Sequence, residues 1–124
     1  MHTIWTLPHG DAAYPLRWMR IKEEFTKHWL AGGGSELAQT GSRIKHRQRG
    51  IWHKRYWEHT IRDEAELKRC VDYTHWNPCK HGLAARVRDW RWSTFARFVR
   101  NGEYTFDWGA ADPAPDWNDP EWGE

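Results

Sequence analysis

Two cysteines in 124 residues are too few to build a disulfide scaffold. Cys70 and Cys79 stand nine apart with no second pair, so zinc-site spacing is also absent, and Cys70 reads as a small buried residue. No apolar run approaches the roughly 18 residues a membrane span needs. The N-terminus shows no basic, then apolar, then small-residue leader, so nothing indicates secretion and the cytoplasm is the expected setting. No Lys or Arg follows Arg100. Aliphatic residues are scarce, since hydrophobic residues make up only 39% of the chain. Rings fill part of that gap: aromatic residues are 15% of the chain and tryptophan alone contributes 11. A small, ring-built core follows, with more rings than a core of that size requires.

The formal charge of +2 hides a partition. Residues 1–106 carry 19 basic against 11 acidic side chains, a net of +8, whereas 107–124 hold only acidic ones, interspersed with Pro113, Pro115 and Pro120. A body this basic suits a polyanionic partner. The tail reads as a disordered, solvated terminus or as an acidic segment that shields the basic surface until nucleic acid displaces it. The glycine-rich stretch 31–42 reads as a flexible loop inside a single domain.

Periodicity predicts the elements. Residues 1–7 alternate, with His2, Ile4 and Thr6 on one face, which predicts a strand ended by Pro8-His9-Gly10-Asp11. Trp18, Ile21, Phe25 and Trp29 fall at spacings of three and four, predicting a helix from about Pro15 to Leu30 with one buried stripe. The segment 51–61, rich in aromatic and β-branched residues, predicts a second strand. Thr60-Ile61-Arg62-Asp63 resembles a capping box, and Asp63, Glu64 and Glu66 favour a helix start. That helix is expected to end at Trp76 or Asn77, because Pro78 disfavours helical geometry in its predecessor. Gly82 permits a turn, and a short helix is expected near Ser93 with Phe95, Phe98 and Val99 inward. Two strands are thin for a sheet, so the chain reads as part of a domain.

Two groups of residues suggest chemistry. Tyr73 and Asn77 lie one helical turn apart. A phenol near pKa 10 is a weak nucleophile, so it needs a base or a cation polarising its target, and Asn77 can offer an oxygen to a hard divalent ion. In 43–55, the cations Arg43, Lys45, Arg47, Arg49, Lys54 and Arg55 are interleaved with Trp52, Tyr56 and Trp57 nearby, the combination of phosphate neutralisation and base stacking used by single-strand binders. Trp18, Trp29 and Trp57 read as packing and Trp52 as a stacking platform. His53, His75 and His81 receive no role.

Met1-His2-Thr3-Ile4-Trp5-Thr6-Leu7-Pro8, Arg17-Trp18, Lys22, Phe25, Gly50-Ile51-Trp52, Arg55-Tyr56-Trp57-Glu58-His59, Ile61-Arg62-Asp63-Glu64, Val71-Asp72-Tyr73, Asn77-Pro78, Lys80-His81-Gly82-Leu83 and Asp89-Trp90 occur in one order. In that order the chain resembles the REP-associated tyrosine transposases, the single-tyrosine branch of the His-hydrophobic-His endonucleases related to the IS200/IS605 transposases. The resemblance runs with gaps from Met1 to about Trp108 and implies an α+β fold, a ferredoxin-like βαββαβα sandwich with an antiparallel sheet. This chain would hold its C-terminal part, residues 1–106 as a partial IS200-like domain, with the first strand-helix-strand missing. The resemblance further implies cleavage and rejoining of hairpin-forming single-stranded DNA through a 5′-phosphotyrosine, with Mg²⁺ or Mn²⁺ as cofactor. Carried over by position, Tyr73 would be the nucleophile and His2 and Asn77 metal ligands, while His59 would support the helix or touch phosphate. The first signature His would precede Met1. The alternative is a non-catalytic hairpin or single-stranded DNA-binding remnant, or a domesticated regulator, associated with the bacterial nucleoid and not with a membrane. No protein partner is implied, and monomer and dimer stay open.

Overall fold

The structure, a computed structural model, describes residues 1–38, 40–45, 49–52 and 56–110, with only the backbone at Arg43. The order is α1 (Tyr14–Ala31), α2 (Gly41–Lys45), α3 (Glu64–Lys80), a 3₁₀ turn (Val87–Asp89) and α4 (Phe95–Arg100). No described helix is long and apolar enough to cross a membrane. The chain divides into two compact units, Thr6–Glu58 and Met1–Trp5 with His59–Glu124.

The α+β expectation is overturned, because no strand forms among the described residues and the elements are helical. Alternation makes a strand only where a neighbouring strand takes up its backbone groups and one face is buried. Neither condition is met at the N-terminus: no described strand lies beside it, and His2, Thr3 and Ile4 are all exposed, so neither face is buried. In the segment 51–61 the described residues are a turn, a bend and irregular chain. There the indole N–H of Trp52 donates to Thr26 Oγ1 at 3.2 Å and its ring meets Phe25 edge-on at 5.1 Å. Packing onto α1 has overridden β propensity, which is weak and set by context.

In the Thr6–Glu58 unit, α1 begins as its sequence predicts, with Pro15 in the first turn. Asp11 Oδ1 accepts from Ala13 N at 2.8 Å, and both carboxylate oxygens accept from Arg17 at 3.0 and 2.5 Å. This pairing, the Arg17 hydrogen bond first, holds the Asp11 carboxyl down at about 2. The predicted stripe is not deeply buried: Ile21, Phe25 and Trp29 stay 42–44% exposed. Rings meet one another instead, and Lys22 Nζ lies 5.5–5.6 Å from the Trp18, Trp52 and Tyr56 centroids, a three-sided cation–π seat. The glycine-rich stretch returns to the helix, where Gly34 N donates to Trp29 O and the Trp29 indole donates to Ser35 O, both at 2.8 Å. A Cβ on Gly34 would stand 2.2 Å from that indole, so only glycine allows the approach.

In the other unit, α3 runs three residues beyond the expected stop. Proline in a last turn removes one hydrogen bond without breaking the elements before it. The end is then closed by Gly82 N to Cys79 O at 3.0 Å and Leu83 N to Pro78 O at 2.8 Å, with Gly82 left-handed at φ +67°. This is a Schellman closure. The core comprises Cys70, Tyr73, His75, Val87 and Phe95, each less than a tenth exposed. His75 sits edge-on to Phe95, Phe98 and Tyr104 at centroid distances of 5.8, 5.0 and 5.4 Å. Phe95 and, in part, Phe98 and Val99 turn inward as expected. The chain after α4 packs back, with the Tyr104 and Trp108 rings 4.6 Å apart. Of the expected acidic tail, 107–110 belong to the described residues and 111–124 lie outside them.

Candidate functional site around Tyr73

Helix α3 carries Tyr73, and its N-terminus is built by two carboxylates. Asp63, in extended backbone, accepts from Glu66 N at 2.8 Å, and Glu66 reaches back to accept from Arg62 N at 2.6 Å. The cap is therefore Asp63, three residues later than Thr60 suggests, with Glu66 reaching back past it to the Arg62 amide in a variant of the capping box. Glu66 is buried and its other oxygen meets His59 Nε2 at 2.7 Å. The Arg62 amide and then the His59 ring hold its carboxyl below the usual range. Because the folded pKa lies below the ordinary 4.5, the stability it contributes is complete above that pH and is lost as pH falls through the folded value. Thermal melts followed by circular dichroism should show stability falling as pH drops below 4.5. Glu66→Gln should melt lower at neutral pH and fall less on acidification; parallel profiles would remove Glu66 from this role.

Tyr73 is 4% exposed and Asn77, one turn on, donates its Nδ2–H to the phenol oxygen at 3.4 Å. The His2 ring stands edge-on to Tyr73, centroids 5.2 Å apart at 88°. Lys80 Nζ lies 5.3 Å from the same ring. Three sequence-predicted residues, His2, Tyr73 and Asn77, thus meet at one place. His59 lies elsewhere, at the start of α3 on Glu66. Next to Tyr73, Asp72 accepts from the Tyr104 hydroxyl and from Lys68 at 2.7 Å. Burial first, then the Asp72 bond, pushes the Tyr104 phenol far above its usual value, so it acts as a fixed donor.

The donors around Tyr73 do not by themselves fit a divalent ion. Mg²⁺ asks for near-octahedral oxygen coordination, whereas His2 and Asn77 offer one imidazole nitrogen and one amide. Among the described residues, no group of three His, Cys, Asp or Glu side chains could hold an ion.

Of the predicted DNA contacts, Lys45 and Arg49 are exposed, and Arg49 Nε pairs with Glu36 Oε2 at 3.0 Å. That carboxylate also accepts from Gly50 N at 3.2 Å. Trp52 is half-buried in the α1 packing described above. Arg47, Lys54, Arg55 and the Arg43 side chain lie outside the described residues. Sequence reasoning placed Glu66 at the helix start but missed its bonds to His59 and the Arg62 amide, and it missed the Asp72–Tyr104 pair. The first carried a readable signal, the D-x-x-E spacing from Asp63, while the second joins residues 32 apart and had none.

No protein-family model matches the chain. It is 42% identical over 108 residues to the REP-associated tyrosine transposase of Escherichia coli K12, covering 87% of itself and 55% of that protein. To the putative REP-associated tyrosine transposase of Haemophilus influenzae Rd it is 39% identical over 110 residues, covering 88% of itself and 60% of the relative. The backbone follows a solved REP-associated tyrosine transposase bound to a REP hairpin with a TM-score of 0.65 at 36% identity, covering 92% of this chain and 58% of that one. This likeness puts the chain among relatives of the DNA transposases. It belongs to the REP-associated tyrosine transposase family, and it spans a little over half the length of the curated relatives it matches.

Proposed function

We propose that this chain binds hairpin-forming single-stranded DNA without cleaving it, as a non-catalytic remnant or a domesticated regulator acting on the bacterial nucleoid. The observation that carries the non-catalytic half is the burial of Tyr73 at 4% exposure. Phosphoryl transfer needs the phenol oxygen to reach a phosphorus atom with its proton removed or its target polarised. A buried phenol that accepts from an amide presents almost none of itself to a substrate. DNA binding is supported by the kinship, by the hairpin held by the solved relative, and by the basic stretch 43–55.

A second reading is favoured by the meeting of His2, Tyr73 and Asn77 at one place. In it Tyr73 attacks a backbone phosphate to give a 5′-phosphotyrosine and a free 3′-hydroxyl. An ion bound there would polarise the phosphate, His2 and Asn77 being the residues to hold it, with water and phosphate completing its shell.

One experiment separates the two. The purified chain is mixed with a panel of single-stranded hairpins in Mn²⁺ or in EDTA and run on native and denaturing gels, with Tyr73→Phe alongside. The proposal expects binding that EDTA and the mutation leave within about twofold, salt-sensitive as phosphate contacts require, and no covalent adduct. An adduct that disappears in Tyr73→Phe would replace it with the catalytic reading. No native-gel shift for any hairpin would reject both.

A further inference from the structure

The 3₁₀ turn Val87–Asp89 and the residues after it form a second basic and aromatic surface, outside the 43–55 stretch. Val87 is 1% exposed and pins the turn to the core, with Arg86 exposed on one side of it and Arg88 half-buried on the other. Arg86 Nε pairs with Asp89 at 3.0 Å, so the turn is braced without burying the guanidinium, whose side chain is 53% exposed. Arg88 pairs with Asp107, and its guanidinium lies 4.6 Å from the Phe106 centroid. Two residues past the turn, the Arg91 guanidinium lies 4.2 Å from the ring centroid of Trp92. Trp92 is 71% exposed and Phe106 is 62% exposed, and among the described residues few rings are completely buried.

An indole this exposed forgoes the burial that normally stabilises it, and a guanidinium held over the ring adds charge to the same spot. The pairing of exposed ring and stacked arginine suits a planar group attached to an anion. Arg86, Arg88 and Arg91 fall within six residues, against Asp89 paired with Arg86 and Asp107 paired with Arg88, and so the net charge is positive and complementary to a phosphate backbone. We propose that Trp92 and Arg91, with Arg86 and Arg88 beside them, are a stacking site for unpaired DNA: a base lies against the Trp92 indole while the arginines neutralise flanking phosphates. The site rests on the DNA-binding reading above and adds a surface to it. Stacking is sequence-tolerant because every base has a π face, so the site selects unpaired over paired DNA without reading sequence.

Fluorescence anisotropy on the full chain tests it, with labelled oligo(dT), a labelled fully paired duplex and a labelled hairpin as probes. Trp92→Ala should weaken oligo(dT) binding by roughly tenfold, the order expected for one lost stacked base, and leave the duplex within about twofold. Trp92→Phe, which keeps a ring, should retain most of the affinity, and Arg91→Ala should flatten the dependence on salt by about one phosphate contact. The high exposure of Trp92 makes unfolding by these changes unexpected, and unchanged thermal melts would verify that. If wild type binds the hairpin and Trp92→Ala is indifferent on every probe, or weakens oligo(dT) and duplex alike, this inference fails and the hairpin reading stands. If wild type ignores the hairpin yet loses oligo(dT) on Trp92→Ala, the hairpin reading fails and the stacking site stands. A chain that binds no probe overturns both.

Discussion

His75→Ala is expected to lower the free energy of unfolding by on the order of 3 kcal/mol, the size of a large-to-small change at a buried ring. His75 is 1% exposed and touches Phe95, Phe98 and Tyr104 edge-on, so truncation leaves a cavity at the junction of α3, α4 and the returning chain. It also removes the bond of Nε2 to Thr94 Oγ1 at 2.9 Å. Burial holds the imidazole below its usual pKa, so the neutral ring is the species packed there. The Nδ1 atom is buried with no hydrogen-bond partner, a cost the apolar ring of phenylalanine would not carry. His75→Phe is therefore expected to stay within about 1 kcal/mol of wild type, the lost Thr94 bond offsetting the relieved nitrogen. Urea titrations should show the alanine midpoint lowered at unchanged slope, and an alanine midpoint equal to wild type would mean the ring cluster is not the core.

Alanine at Arg43, Lys45, Arg47 and Arg49 together should reduce hairpin affinity by roughly a hundredfold or more at low salt, and flatten the plot of log affinity against log salt by about three to four. The argument is counterion release: each cation removed is one phosphate no longer neutralised. Arg49 should matter beyond its own charge. It pairs with Glu36, a carboxylate that also accepts from Gly50 N, so Arg49→Ala exposes a negative charge beside the surface proposed to bind phosphate. Arg49→Ala alone should therefore weaken binding more than Lys45→Ala. Anisotropy titrations across a salt series measure both quantities, and a quadruple variant with an unaltered slope would place the phosphate contacts elsewhere on the chain.

Much of the site was legible because it is local. Tyr73 and Asn77 share a face by helical period alone, and Asp63, Glu64 and Glu66 mark the start of α3 by charge and spacing. The family likeness placed His2 near them, and the rings of His2 and Tyr73 do meet. Less legible were the residues whose roles depend on distant partners. Trp52 reads as a free stacking platform until Thr26 and Phe25, 26 and 27 positions earlier, are seen to hold it. His75 received no role from its own segment because its surroundings, Phe95 to Tyr104, lie 20 or more residues away. Helix ends were legible to within a few residues, and the error at Pro78 came from letting its bias against helical geometry in Asn77 end a helix that continues to Lys80.

The amino-acid sequence by itself determined the helices α1, α3 and α4, the acidic start of α3, the partition of charge and the kinship, because each depends on neighbours within a turn or on ordered tokens along the chain. Tertiary structure alone decided that the two alternating segments are not strands among the described residues, that Tyr73 is buried, and which rings pack and which stay exposed. Alternation and aromatic content state only what a residue could pair with. Whether a second edge or a covering face arrives is a property of the rest of the fold, and so burial, not periodicity, settles what each of these side chains does.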